Sequence, residues 1–216
     1  MDLSAATYYF SACLAPLYGA ELKWLILSEF LEHHKIQGVE YFYIYLNEID
    51  EYSRILLDDY VRSGEAEVVI LRDPYERDSE LWQLPQLQEC LIRARGHSNW
   101  VAMIDLDGRL TPTEYHGTLA DYLKSISDPT IAELTFRQQL VLTNETESEK
   151  YTNESQVAEL MPTWRYHNTS QLLPSEHNTM YIVNPKKAVI ANIHGIDLFY
   201  DGYRRYHLKD DEAVVR

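Results

Sequence analysis

Hydrophobic positions in the first 137 residues switch repeatedly between runs of strand length and faces with helical spacing. Tyr8–Leu14 is apolar and aromatic, and Pro16, Tyr18 and Gly19 break it. From Glu21 to Gln37 the apolar residues Leu22, Leu25, Ile26 and Phe30 follow a helical period, with Gly38 suited to cap the end. Tyr41–Leu46 is prone to form a strand. Asp50 then reads as the N-cap of a helix that turns Ile55, Leu56 and Tyr60 inward and closes at Gly64. Ala66–Leu71 gives a third strand. Pro85 fits the first turn of a helix to Arg95, with Leu87, Cys90, Leu91 and Ala94 on one face and Gly96 as its cap. Trp100–Ile104 is a continuous apolar run, as expected of a strand covered on both faces. Thr118–Ser125 reads as a helix and Ile131–Phe136 as a fifth strand.

Strands alternating with helices predict βαβ units, hence an α/β domain with a mostly parallel sheet flanked by helices. The texture changes after Arg137. Residues 143–178 are polar and show little periodicity, and a loop of that length is usually functional or disordered. Met180–Val183 and Val189–Ile193 then read as returning strands around Pro185. From Asp197 the chain mixes aromatics with charge and is expected to end at Arg216 without a closing element.

Composition narrows the partners. With 34 acidic against 19 basic residues the net charge is −15, which disfavours nucleic acid and anionic membrane surfaces. A phosphate-bearing ligand stays possible where a divalent cation mediates the contact. Seventeen tyrosines supply core volume and flat surfaces for sugars. Cys13 and Cys90 lack metal-site spacing and are expected to be buried free thiols, a disulfide being the alternative. No run reaches the ~18 apolar residues of a membrane span, and no leader is evident.

The chemistry concentrates at Asp105-Leu106-Asp107, directly after the buried strand Trp100–Ile104. In open α/β sheets ligands bind beyond the carboxyl ends of the strands. If the segment is extended, Asp105 and Asp107 face the same side and form a hard-oxygen site for Mg²⁺ or Mn²⁺. The bland alternative is an ordinary Asp-Gly turn.

An apolar strand followed by Asp105-x-Asp107-Gly108 resembles the opening motif of haloacid-dehalogenase phosphatases. That resemblance implies Asp105 as nucleophile and Asp107 as general acid/base. However, three βα units precede the motif here, and Arg109 occupies its usual threonine position.

A second resemblance covers almost the whole chain. Cys13-Leu-Ala-Pro-Leu-Tyr18, Glu29-Phe-Leu-Glu-His-His34, Gly38–Tyr45 with Asn47, and Tyr60-Val-Arg-Ser-Gly64 come first. Gln86, Cys90–Arg95, Trp100–Asp107, Ile182-Val-Asn-Pro185 and Ile193-His-Gly195 follow in order. Together they resemble glycosyltransferase family 92. The resemblance implies one GT-A-like domain over 1–216, its nucleotide-binding part about 8–137 and its acceptor-side part about 138–216. It implies inverting transfer of galactose from a UDP-sugar to a glycan acceptor in the Golgi lumen, by an enzyme whose full-length form carries a membrane anchor.

Carried onto this chain, Asp105 would touch the ribose or a Mn²⁺ or Mg²⁺ ion, and Asp107 would ligate that ion. Pro16 and Tyr18 would line the uracil pocket, with Asn47 on the same rim. His194 is the candidate third ligand, against the alternative of a structural histidine. Glu133, Asp197 and Asp201 are the candidate bases for an inverting step. Trp164 is placeable against an acceptor sugar, with Tyr166 and His167 near it in sequence. Two departures stand out. Gly108 replaces the acidic residue usual after the motif, and the chain stops near where the family's His-Tyr-Arg segment begins. A shortened or inactive relative is therefore a further reading. Asn144-Glu-Thr146, Asn153-Glu-Ser155 and Asn168-Thr-Ser170 match the N-glycosylation pattern of a secretory lumen.

Overall fold

The computed structural model describes residues 6–72, 74, 79–141, 150–174 and 180–216. The elements run β1 (Tyr8–Leu17), α1 (Trp24–Ile36), β2 (Tyr41–Leu46), α2 (Glu51–Ser63) and β3 (Ala66–Ile70). A 3-10 turn (Ser79–Trp82) leads into α3 (Gln83–Ala94), then β4 (Ser98–Ile104), β5 (Leu110–Pro112), α4 (Leu119–Ser125), β6 (Ile131–Thr135) and β7 (Arg137–Gln138). Two short helices follow, α5 (Glu154–Leu160) and α6 (Pro162–Arg165), then β8 (Tyr181–Val183), β9 (Ala188–Asn192), β10 (Gly195–Phe199), β11 (Arg204–His207) and β12 (Ala213–Val215).

The main sheet has seven strands in the order β11-β6-β8-β4-β1-β2-β3. β1 lies between β4 and β2 and is parallel to both, with Cys13 opposite Met103 and Tyr43. β8 runs antiparallel to β4 and β6, so the sheet is mixed although mostly parallel, as expected. Side-chain alternation along β2 sends Phe42, Ile44 and Leu46 into one apolar layer with α1 and α2. The intervening Tyr43 and Tyr45 enter the opposite layer, under α3 and the β9–β10 hairpin. These fully buried rings make part of the tyrosine surplus core.

Local signals account for most boundaries. The Asp50 carboxylate accepts the Ser53 N–H at 2.7 Å, and Gly64 closes α2 at φ +80°, a left-handed conformation that favours glycine. The inward face of α2 differs from expectation. Ile55 is 67% exposed, whereas Ser53 and Leu57 are buried. Leu57 lies one turn from Ser53 and shares its face, and Ile55 falls on the other side.

Three expectations need correction. The polar stretch is not bare loop, because its described part carries α5 and α6. The C-terminus does have a closing element: β12 pairs antiparallel with β5 and parallel with β7. Cys13 and Cys90 are buried but not free; they form a disulfide between β1 and α3, with Cα atoms 6.5 Å apart. The bridge spans 77 residues of sequence, and its loss should cost about 2–4 kcal/mol. At ~2–4 °C per kcal/mol, Cys13→Ala/Cys90→Ala should melt about 4–16 °C below the parent. An unchanged melting temperature, with two titratable thiols in the unfolded parent, would show the bridge to be absent.

Candidate functional site

Asp105 is the first residue beyond β4, and Asp107 follows on a tight turn. The Gly108 N–H donates to the Asp105 carbonyl at 3.1 Å and closes that turn. The two aspartates are therefore held by a turn, and the strand-alternation argument for their common direction does not apply. They are still close enough to interact. Burial raises the Asp105 carboxyl to about 6, and the charge on Asp107 adds to the rise. Asp107 itself is exposed.

The turn is anchored from beneath by Arg109. Its guanidinium donates through Nη1 to the carbonyls of Leu106 (2.8 Å) and Gly108 (2.9 Å), and through Nη2 to the Glu29 carboxylate on α1 (2.8 Å). Both side chains of this ion pair are 7% exposed. Burial depresses the Arg109 pKa, and Glu29 opposes that depression. The other Glu29 oxygen accepts the Thr163 N–H at the start of α6, at 2.8 Å. One buried acid thus links α1, the aspartate turn and α6. The C-terminus joins the same girder, since Arg109 and Arg216 exchange backbone hydrogen bonds of 2.7 and 3.0 Å. Sequence alone assigned neither Glu29 nor Arg109 this role: Glu29 stands only within the piece Glu29–His34, and Arg109 only as the residue in place of a threonine.

Gly108 has a packing reason. A Cβ there would land on the Met180 sulfur and crowd Ile104. The acidic residue usual at this position would require the end of the Met180 side chain to move aside.

Beside Asp105 lies a small cleft, with a cavity of about 10 Å³, between the ends of β1 and β4, the start of α3 and the β9–β10 hairpin. Ala15, Gln83, Gln86, Met103 and Ile193 are among its lining residues. Pro16 is buried and Tyr18 is 54% exposed at the end of β1. Asn47 ties the ends of three strands together, its N–H bonding the Leu17 carbonyl (2.9 Å) and its amide the Leu71 carbonyl (3.3 Å).

His194 sits on the exposed hairpin tip, next to Ile193 of the cleft. Among the described residues no three His, Cys, Asp or Glu side chains are grouped as a metal site.

The candidate bases separate by position. Glu133 is fully buried on β6, and its oxygens accept from Arg205 Nε (2.8 Å) and the Ile196 N–H (3.2 Å). It anchors the hairpin and has no open side for an acceptor hydroxyl. Burial raises its carboxyl to about 6, against the opposing pull of Arg205. Asp197 is exposed on β10, where it accepts from the Asn192 amide at 2.7 Å beside the hairpin tip. Asp201 is exposed past the far end of β10. Trp164 is 71% exposed on α6. Asn153 and Asn168 are exposed, and Asn144 lies outside the described residues.

A mostly parallel α/β sheet with a strand that ends on paired carboxylates is the arrangement in which open α/β folds bind ligands, beyond the carboxyl ends of the strands. The particular family follows from comparison: the family model for glycosyltransferase family 92 matches residues 8–216, so the chain belongs to that family. The dehalogenase alternative falls with that match. The chain is 28% identical over 130 residues to beta-1,4-galactosyltransferase galt-1 of Caenorhabditis elegans, an alignment covering 57% of this chain and 30% of that protein. This chain thus corresponds to less than a third of that relative. Among solved structures, the mannosyltransferase PcManGT of Pyrobaculum calidifontis in complex with GDP-Man and Mn²⁺ is 15% identical at a TM-score of 0.42, covering 63% of this chain and 37% of that one. HddC of Yersinia pseudotuberculosis is 11% identical at 0.47, covering 96% and 92%.

Proposed function

We propose that this chain is a metal-dependent inverting glycosyltransferase domain that moves galactose from a UDP-sugar to a glycan acceptor. The observation that carries this reading is the Asp105/Asp107 pair at the open end of β4, in a chain of family 92. The donor set fits a hard divalent cation. The charge on Asp107 adds to the rise of the Asp105 carboxyl, and two such carboxylates are held together at lower cost when a dication lies between them. A bound Mn²⁺ or Mg²⁺ would supply charge neutralisation for a departing nucleoside diphosphate.

The chain's own residues do the remaining work. Arg109 fixes the turn that aims the aspartates, and the donor lies over the strand ends beside Asp105. Asp197 is the candidate base, because it is exposed next to the hairpin tip whose Ile193 lines the cleft beside Asp105. Trp164 offers an exposed ring to an acceptor sugar. The exposed Asn153 and Asn168 acceptor sites favour a Golgi-type lumen. No helix among the described residues is long and apolar enough to cross a membrane.

Mass action gives the first test. A donor present at about a hundred times its Kd should stabilise the fold by ~2.7 kcal/mol, or about 5–11 °C in a chain of this size. UDP-galactose with Mn²⁺ should produce that shift, and Mn²⁺ alone a smaller one. No shift with UDP-galactose and Mn²⁺ would reject the donor reading.

A further inference from the structure

The strand order β3-β2-β1-β4 reverses at β1. The crossovers through α1 and α2 cover the face of Phe42, Ile44 and Leu46, and the one through α3 covers the face of Tyr43 and Tyr45. In such sheets ligands bind in the crevice outside the strand ends where the order reverses. Here that point lies between the ends of β1 and β4. The Asp105–Asp107 turn forms one bank of it. The other is the loop of residues 18–23, which joins β1 to α1.

This loop is built around its own last side chain. Lys23 is 6% exposed, which a lysine tolerates only when its ammonium is paired. Its Nζ donates to the carbonyls of Gly19 (2.9 Å) and Glu21 (3.2 Å) and lies 2.7 Å from the Glu21 carboxylate. Three acceptors thus meet the three donors of the ammonium, and all of them belong to the loop. The bond from Lys23 holds the exposed Glu21 carboxyl below its ordinary value. Gly19 permits the arrangement, since its φ of +79° is left-handed and a Cβ there would land on the Glu21 carboxylate. The Lys23 N–H donates to the buried Ser53 hydroxyl at 2.8 Å, which fastens the loop to α2. In a trans peptide the N–H points opposite the C=O. With the Gly19 and Glu21 carbonyls turned in to the ammonium, the N–H groups of Ala20 and Leu22 point away from it.

We propose that Lys23 is a positioning residue for the donor nucleotide. Its ammonium holds loop 18–23 in the shape that meets the nucleotide across the crevice from the aspartate turn, through the outward N–H groups and the exposed Tyr18. This rests on the UDP-sugar reading above. Lys23 touches no reacting atom. Its bonds run to the loop and to α2, so it governs nucleotide affinity and leaves metal binding to the turn that Arg109 anchors.

Calorimetric titration of the intact chain tests this. Lys23→Met keeps the buried stem and removes the ammonium. With Mn²⁺ present, UDP should bind this variant at least about tenfold more weakly than the parent. Its affinity for Mn²⁺ alone should be unchanged. A lysine with only a structural role would lower the melting temperature and leave the UDP affinity of the folded protein as it was. Gly19→Ala distorts the same loop without disturbing a buried charge, and it should weaken UDP binding at least about fivefold. That variant decides the matter if Lys23→Met does not fold. Parent-like UDP affinity in either folded variant would overturn the inference, as would an equal loss of affinity for Mn²⁺ alone. Both results leave the donor reading intact. If the parent binds no UDP in the presence of Mn²⁺, the donor reading and the inference fall together.

Discussion

Replacing Asp107 with alanine should reduce Mn²⁺-dependent transfer by more than about a hundredfold while leaving the fold intact. Residues that merely support metal ligands typically cost 10–100-fold when removed, so a ligand itself should exceed that range. Stability should change by no more than about 0.5 kcal/mol, because Asp107 is exposed on a turn and is not among the anchoring contacts. A readout independent of activity comes from Asp105. Its carboxyl stands at about 6 through burial first and the Asp107 charge second. In Asp107→Ala the Asp105 pKa should fall but remain above the ordinary value, since burial persists. Carbon-detected NMR of the side-chain carboxyl follows this directly. Parent-like transfer by the variant would rule out Asp107 as a ligand. An unmoved Asp105 titration would show that the two carboxylates do not share one field.

Much of the frame was legible because the signals are local. The strand-prone run of β2 and the unbroken apolar run of β4 place the sheet and the strand end that carries Asp105. Asp50 and Gly64 bound α2 because capping chemistry acts within one turn. What escaped depends on contacts distant in sequence. β5, β7 and β12 are two or three residues long and exist by pairing with one another, with Ala213 opposite Pro112. Strands this short leave no period to read. Ile55 points outward because the geometry of α2 against the sheet selects Leu57 instead.

The site followed the same division. The two aspartates were visible as a motif, and the ordered matches from Cys13 to Gly195 pointed to the family that the comparison confirms. Several features are set by residues far away in the chain: the Met180 side chain packed against Gly108, the Cys13–Cys90 bridge and the engagement of Glu133 by Arg205. Gly108 carried a warning about activity in the sequence. In the structure it reports Met180 packing over the turn, which says nothing against the carboxylate pair.

The largest effect on stability should come from Glu29→Gln, which leaves the Arg109 guanidinium buried without its counter-charge. Removing one partner of a buried ion pair costs about 3–5 kcal/mol, chiefly the penalty of the stranded charge. For a chain of this size that corresponds to a fall in melting temperature of about 6–20 °C. Arg109 is 6% exposed, and its Nε already lacks a partner, so little solvent can compensate. The loss should be partly reversed in Glu29→Leu/Arg109→Met, since apolar replacement of a whole buried pair is often neutral or stabilising. Function should not recover in that double variant. The Arg109 bonds to the Leu106 and Gly108 carbonyls fix the turn that aims Asp107, and methionine makes neither. Mn²⁺ affinity in the double variant should therefore stay well below the parent even where its melting temperature is restored. Chemical denaturation and Mn²⁺ titration on the same samples separate the two effects. A melting temperature for Glu29→Gln within about 2 °C of the parent would refute the buried-pair account. Parent-like Mn²⁺ affinity in the double variant would show that the turn holds its geometry without Arg109.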